Sequence, residues 1–174
     1  MTKRNKWTLF AVACMFAAIG IYTNLKKTEL HQAQSIAVDN LFAASLADTS
    51  GLRQNMAQWK GKTLLVNFWA TWCNPCIEEI PELSKLQYTA GKKNIQIIGI
   101  GIDSATNISE FSSTHKIAYP IYIANTEGVE LARRFGNESG GLPFSVLIKP
   151  DGQIKKSYLG RLKLEELKRD LELP

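Results

Sequence analysis

The sequence predicts an α/β domain in which helices cover both faces of a mixed central sheet. Apolar runs that suit buried strands alternate with segments of helical periodicity along most of the chain. Near the C-terminus, Pro150-Asp151-Gly152 separates two further strand-like runs and predicts an antiparallel hairpin. Alternating strands and helices that end in a hairpin are typical of a layered sandwich with parallel and antiparallel strands.

Local patterns place the elements in order along this domain. Runs of apolar or β-branched residues between turn signals predict strands at 41–46, 63–69, 95–102, 119–123, 145–149 and 154–159. Helical signals predict helices at 76–90 with Pro81 inside, at 126–135, and around Leu164, Leu167 and Leu171, which form one apolar stripe. The four residues from Asn107 to Glu110 predict a capping box that opens another short helix.

The first part of the chain predicts a membrane anchor. No side chain from Trp7 to Leu25 is charged, and this stretch lies between Lys3, Arg4 and Lys6 on one side and Lys26 and Lys27 on the other. A helix over residues 7–25 would reach roughly 28 Å, close to the thickness of a hydrocarbon core. We therefore expect an anchor at 1–27, a polar spacer at 28–40 and the α/β domain at 41–174. Two alternatives would also export the domain. One is a cleaved signal peptide ending near Ala18-Ile19-Gly20, and the other is a lipoprotein acylated at Cys14.

The charge distribution supports this topology. The net charge of +5 comes entirely from the residues that flank the apolar stretch. From Thr28 onward, lysine and arginine balance the 16 aspartate and glutamate residues, so the sequence gives no support for nucleic-acid binding. The N-terminal basic cluster favours a cytoplasmic N-terminus. We expect a single-pass protein of the cytoplasmic membrane with its domain on the periplasmic or extracytoplasmic side.

The segment Trp72-Cys73-Asn74-Pro75-Cys76 indicates the chemistry. It follows an apolar strand and precedes a helical segment, so the first thiol is expected near a helix N-terminus. Backbone N–H groups and the helix dipole favour a thiolate there, and the thiolate is the nucleophile of thiol–disulfide exchange. We expect Cys73 to form the mixed disulfide and Cys76 to resolve it. A structural disulfide would close too small a loop to stabilise much, and no second cysteine pair completes a four-cysteine zinc site.

These residues resemble the thioredoxin superfamily and, within it, the membrane-anchored TlpA/ResA-like thiol–disulfide oxidoreductases. The resemblance extends from about Leu41 to the C-terminus. The matching residues are Gly61-Lys62, the block from Val66 to Cys76, Glu79 with Pro81, Gly141-Leu142-Pro143 and Pro150-Asp151-Gly152. The resemblance implies a thioredoxin fold and a reductase of disulfides in exported client proteins. It also implies a transmembrane electron donor and, as one expected setting, cytochrome c biogenesis.

The resemblance further implies roles for residues around the cysteine pair. Pro143 would be a cis-proline facing the cysteines, and Leu142 and Trp72 would help it to bind a client segment. Glu79 would exchange protons with Cys76, one helical turn away. Thioredoxin has a buried aspartate where Asn67 stands, so that proton route is absent here. Phe144 follows the proline where many relatives have threonine or glutamate, which leaves the choice of client open.

Alternative functions are a net oxidant or isomerase of the same fold, a copper-delivery or other metal-binding module, and a non-catalytic scaffold. Related copper-delivery proteins have cysteines spaced one residue further apart and a downstream histidine, so the spacing here argues against that function. We expect His31 and His115 to be solvated or packing residues. No cofactor and no metal site are expected, because the two cysteines suffice for two-electron exchange.

Overall fold

The computed structural model describes residues 3–173, with side chains from Met15 onward. The chain divides into two units, Met1–Ala33 and Gln34–Pro174, and all strands lie in the second. The helices are α1 (Lys3–Ala43), α2 (Asn74–Ala90), α3 (Ala105–Thr114), α4 (Asn125–Arg134) and α5 (Leu164–Asp170). The strands are β1 (Ser45–Asp48), β2 (Arg53–Asn55), β3 (Thr63–Trp69), β4 (Ile95–Gly101), β5 (Ile121–Ile123), β6 (Phe144–Ile148) and β7 (Ile154–Leu159).

A mixed sheet of seven strands forms the centre of the second unit, in the order β2-β1-β5-β4-β3-β6-β7. Strands β3, β4 and β5 are parallel, and the remaining pairings are antiparallel. On one face α2, α3 and α5 bury Ile80, Ile108 and Leu167 against the sheet. On the other face, the end of α1 and α4 bury Leu41 and Leu131. This architecture confirms the predicted mixed sheet with helices on both faces.

The central strand β3 determines where the chemistry is placed. Both faces of β3 are covered, so nearly all of its side chains are buried and its sequence is a continuous apolar run. Asn67 is the polar exception within this buried run. It points to the same side of the sheet as Trp69, because side chains two residues apart in a strand lie on the same face. In the strand register Asn67 lies between Gly99 of β4 and Ser145 of β6. A polar side chain is thereby fixed inside the core, beneath α2.

The start of the first predicted strand was wrong. The strand predicted at 41–46 begins only at Ser45, and residues 41–43 complete α1. Ala37, Val38, Leu41 and Phe42 are buried together at helical spacing, and this packing extends the helix into the apolar run. The compact second unit begins at Gln34, and the domain start at residue 41 stays a prediction.

The start of α3 also differs from the prediction. The hydroxyl oxygen of Ser104 accepts a hydrogen bond from the backbone N–H of Asn107 at 3.1 Å, so the helix begins at Ala105. The predicted capping box from Asn107 to Glu110 therefore lies inside the helix. Serine is a strong N-cap residue, and its position three residues earlier satisfies the first-turn N–H group.

The predicted membrane anchor remains a prediction. Within the described residues, no helix is both long enough and apolar enough to cross a membrane. Lys3, Arg4, Lys6, Trp7 and Cys14, on which the prediction depends in part, lie outside the residues whose side chains the structure describes.

Candidate active site

Cys73 and Cys76 form a disulfide at the N-terminal end of α2. Cys73 is the residue immediately before the helix, and Pro75 lies in the first turn, where its missing N–H removes no hydrogen bond. Cys73 is 6% exposed, whereas Cys76 is fully buried. Of the two cysteines, Cys73 is therefore the one with any surface in contact with solvent, and it lies at the end of the helix where a thiolate is favoured.

The turn that presents Cys73 is bound to the neighbouring strand. β3 and β4 are parallel, so their carboxyl ends meet at one edge, and the Thr71 hydroxyl donates a hydrogen bond to the Asp103 carboxylate just beyond β4. Asp103 also accepts hydrogen bonds from the Ser104 backbone N–H and the Asn107 side chain. Partial burial opposes ionisation, but these hydrogen bonds outweigh it and lower the pKa of Asp103. Sequence reasoning missed this contact, for which Asp103-Ser104 directly after a strand is the available signal.

Glu79 lies one turn beyond Cys76, and its side chain is buried, with 1% exposed. Its Oε1 accepts a hydrogen bond from Asn67 Nδ2 at 2.7 Å, and its Oε2 accepts one from the backbone N–H of Leu162 at 3.0 Å. Burial raises the pKa of Glu79, against the opposing effect of these hydrogen bonds and of the Arg161 charge. A raised pKa brings a carboxyl towards the range in which it accepts and releases protons near neutral pH.

Asn67 is fully buried and links Glu79 to the sheet. Its Nδ2 donates to Glu79 Oε1 and also to the Ser145 hydroxyl at 3.0 Å. The sequence predicts that Asn67 removes the aspartate route of thioredoxin, but it gives no indication that the amide contacts the carboxyl in its place. Ser145 was likewise missed, because a serine within a strand does not by itself indicate a functional site.

The connection between β7 and α5 covers this carboxyl. Arg161 forms ion pairs with Glu78 at 2.7 Å and Glu82 at 3.2 Å, both on α2. The next residue, Leu162, is buried and donates its N–H to Glu79. These ion pairs connect the segment to α2, although exposed pairs of this kind contribute little to stability. Neither Arg161 nor Leu162 was identified from the sequence.

The residues predicted to bind a client lie at the same end of the sheet. The Leu142–Pro143 peptide bond is cis, and the Pro143 carbonyl accepts a hydrogen bond from the Gly160 N–H at 2.8 Å. Because Phe144 pairs with Phe68 near the end of β3, Pro143 lies at the edge where the cysteines follow. Leu142 is half-buried, and Trp72 is 68% exposed despite its large apolar side chain.

The histidines lie outside this site. His31 is exposed, and the His115 ring stacks on Phe111 with the ring centroids 3.8 Å apart. Among the described side chains, no group of three or more histidine, cysteine, aspartate or glutamate residues is arranged to hold a metal ion.

A disulfide at a helix N-terminus, a cis-proline at the same sheet edge and this mixed sheet define a thiol–disulfide oxidoreductase of the thioredoxin superfamily. The family model described as Redoxin matches residues 32–171, and the chain belongs to that family. It is a TlpA/ResA-like member. It is 30% identical over 163 residues to the thiol-disulfide oxidoreductase ResA of Geobacillus kaustophilus, an alignment covering 91% of this chain and 88% of that protein.

Solved structures agree with this assignment. A thiol:disulfide interchange protein of the thioredoxin family from Chlorobium tepidum is 28% identical, with a TM-score of 0.66, over 74% of this chain and 90% of that chain. Another Chlorobium tepidum structure, described as a thiol:disulfide interchange protein DsbE, superimposes with a TM-score of 0.66 at 20% identity, over 74% of this chain and 90% of that chain. At that identity the second comparison shows the fold alone.

Proposed function

We propose that this protein is a membrane-tethered reductase of disulfides in extracytoplasmic client proteins. The observation that most supports this proposal is the Cys73–Cys76 disulfide, in which Cys73 keeps a small exposed surface and Cys76 is fully buried, one helical turn before a buried carboxyl. Accessibility separates the two roles, because a client reaches only Cys73 while Cys76 is protected from reaction with a second client. The membrane tether is the uncharged stretch 7–25 between basic flanks.

The reaction begins with the reduced pair. The Cys73 thiolate attacks one sulfur of a client disulfide, and the other client sulfur leaves as a thiolate, so that a mixed disulfide forms. Cys76 then loses its proton to the Glu79 carboxylate and attacks Cys73, which breaks the mixed disulfide and releases the second client thiolate. Two electrons pass to the client, and the Cys73–Cys76 disulfide remains. A donor across the membrane supplies the electrons that reduce it again.

Client binding is assigned to the apolar rim around Cys73. Trp72 presents a flat apolar surface next to the reactive sulfur, and exposed apolar groups of this size are typical of contact surfaces. Leu142 and Pro143 lie beside it at the sheet edge, where the family places an extended client segment. Trp72, Leu142 and Pro143 carry no charge, so we expect them to select clients by access to the disulfide more than by sequence.

A trapping experiment tests the proposal. In a Cys76→Ser variant the mixed disulfide on Cys73 has no resolving thiol, so clients should accumulate as adducts that a reductant releases. Cys73→Ser is the matched control, because it keeps one thiol of the pair but removes the attacking one. Adducts isolated from membranes should contain exported proteins. Equal yields from the two variants, or no adducts from Cys76→Ser, would contradict the proposal.

A further inference from the structure

We propose that Asn67 is a positioning residue that lets Glu79 exist both with and without a proton inside the core, by turning its side-chain amide. The inference rests on the proton exchange proposed above for Glu79. It adds the group that makes both protonation states acceptable at a fully buried position.

The contacts of Asn67 identify it as the partner of Glu79. Asn67, Glu79 and Ser145 are each at most 1% exposed, so none of them exchanges hydrogen bonds with bulk water. Asn67 Nδ2 lies 2.7 Å from Glu79 Oε1 and 3.0 Å from the Ser145 hydroxyl. Within the described part of the chain, Asn67 Oδ1 has no hydrogen-bond partner. An amide with one bound end and one free end has a second orientation available.

The ionised state of Glu79 requires hydrogen-bond donors, and it has two. Asn67 Nδ2 donates to Oε1 and the Leu162 N–H donates to Oε2. A protonated carboxyl requires instead an acceptor for its new O–H. The backbone N–H of Leu162 can only donate, so it offers no acceptor. If the Asn67 amide kept its orientation, the new O–H would face an N–H group. A buried polar group left in that state is costly.

A half-turn of the Asn67 amide removes this conflict. It places Oδ1 where Nδ2 was, and Oδ1 then accepts the hydrogen bond from the Glu79 O–H. The amide nitrogen and oxygen are similar in size, so the turn needs little repacking. Ser145 follows the change because its hydroxyl both donates and accepts: it accepts from Nδ2 in one state and donates to Oδ1 in the other. An ionised aspartate at position 67 would only accept hydrogen bonds, and an apolar residue would neither donate nor accept.

Other charged or titratable groups also face Glu79. They are Glu82 and the cysteine pair on its own helix, Arg161 on the connection between β7 and α5, and Tyr119 before β5. Glu82 raises the pKa of Glu79 and Arg161 lowers it. Burial, followed by the Glu79 charge, raises the pKa of Tyr119, so this phenol stays protonated at neutral pH. Of the groups hydrogen-bonded to Glu79, only the Asn67 amide can change from donor to acceptor.

Atoms and charge balance in the transfer of the proton from Cys76 to Glu79. The S–H bond of Cys76 breaks, its electron pair stays on sulfur, and the proton forms an O–H bond at Glu79. No electron is transferred in this step. The turned amide of Asn67 holds the new O–H while the Cys76 thiolate attacks the mixed disulfide. The reverse turn prepares Glu79 to lose the proton before the next cycle.

A measurement on the unmodified reduced chain in detergent micelles tests whether the Asn67 amide responds to the protonation of Glu79. The carboxyl ¹³C signal of Glu79 and the side-chain amide signals of Asn67 should titrate with the same midpoint, because the amide loses its carboxylate partner when Glu79 takes the proton. Asn67 signals that stay constant through the Glu79 titration would overturn the proposal. This measurement requires no variant and so does not depend on how a variant folds.

Variants add a functional readout. Asn67→Leu removes the donor at similar volume, and we expect the midpoint of the Glu79 titration to rise by about one pH unit, with the pH–rate profile of disulfide reduction shifted alike. Asn67→Asp places a second carboxyl beside Glu79, and we expect a larger shift. Ser145→Ala is the matched control, because it leaves the Asn67–Glu79 contact in place. We expect it to shift the midpoint of the Glu79 titration by less than Asn67→Leu does. An Asn67→Leu variant that folds but keeps the wild-type midpoint would show that Asn67 only packs.

Failure of this inference can be told apart from failure of the proposed function. Glu79→Gln removes the titrating group, so an unchanged pH–rate profile in that variant would end the role of Glu79 as a proton carrier. A changed profile in Glu79→Gln together with an unchanged midpoint in Asn67→Leu would keep that role and reject Asn67 as its positioning residue.

Discussion

At the scale of single residues, the central feature is a carboxyl that the fold holds inside its core. Glu79 has two hydrogen bonds but no direct ion pair among the described residues, and burial raises its pKa. Such a group reduces stability whenever it is ionised, because desolvation disfavours the charge more than the hydrogen bonds favour it. Sites that combine lower stability with proton exchange are typical of functional residues.

The stability of Glu79→Gln tests this interpretation. The folded pKa of Glu79 lies above its unfolded value of about 4.5, so the folded state binds the proton more tightly, and wild-type stability falls as pH rises between the two values. Glutamine has no proton to lose and stays neutral. The variant should therefore gain free energy of unfolding relative to wild type by up to about 1.4 kcal/mol per pH unit across that interval, and then level off.

Urea unfolding at a series of pH values measures this difference. Below the unfolded pKa both proteins have a neutral side chain, and their stabilities should change in parallel with pH. Glu78→Gln, at an exposed neighbour on the same helix, is the matched control for the loss of one carboxyl from α2. Parallel curves for wild type and Glu79→Gln up to pH 8 would contradict a raised pKa.

At the scale of secondary-structure elements, the motif depends on the contact between the ends of β3 and β4. The Thr71 hydroxyl binds Asp103, which also binds the first turn of α3 through Ser104 and Asn107. This contact fixes the turn that orients Cys73 at the start of α2. A loss of the hydroxyl should loosen the turn without touching either thiol.

Thr71→Val removes the hydroxyl at nearly constant volume. We expect the free energy of unfolding to fall by about 1–3 kcal/mol, because the partly buried Asp103 loses a hydrogen-bond donor. The rate at which Cys73 is alkylated in the reduced protein should change as well. Thr71→Ser keeps the hydroxyl and should retain most of the wild-type behaviour. If valine and serine have the same effect, the hydrogen bond is not what holds the turn.

The elements also show what a sequence can predict. Strands β3 and β7 were predicted with their observed bounds, and α2 within two residues at its start, because apolar runs and the Asp151-Gly152 turn are local signals. The end of α1 was wrong because packing of Leu41 on the core determines it. The Glu79 contacts with Asn67 and Leu162 join residues 12 and 83 positions apart. Such contacts exist only after α2 packs on the sheet, so a local pattern cannot reveal them.

At the scale of the whole molecule, the first prediction concerns topology. The basic residues before Trp7 and the uncharged stretch to Leu25 motivate one span with the cytoplasmic side at the N-terminus. A membrane-impermeant protease added to spheroplasts should therefore digest the domain that follows residue 27. A protein expressed without residues 1–27 should resist the protease and should fractionate with a cytosolic marker. Protection of the full-length protein equal to that of the marker would contradict the topology.

The second whole-molecule prediction is the direction of electron flow, which depends on the relative stability of the thiolate and disulfide forms. Proline precedes the second cysteine, as in reducing thioredoxin, whereas strong oxidants of the superfamily have a histidine there whose charge stabilises the thiolate. Pro75 offers neither a charge nor an N–H donor, so the thiolate gains less and the disulfide is favoured. We expect a reduction potential nearer the roughly −270 mV of thioredoxin than the roughly −120 mV of the most oxidising relatives.

Equilibration of the chain with glutathione buffers measures this potential, and Pro75→His provides the matched comparison. The histidine variant should shift to a more oxidising value, since an added positive charge near Cys73 stabilises the reduced form. A wild-type potential above about −180 mV, the range of isomerases, would favour the oxidant or isomerase alternative. A low potential would have a further consequence, because the surroundings would oxidise the pair in the extracytoplasmic compartment that we propose. In that setting we expect the protein to receive electrons from the cytoplasmic thiol pool through a partner that crosses the membrane.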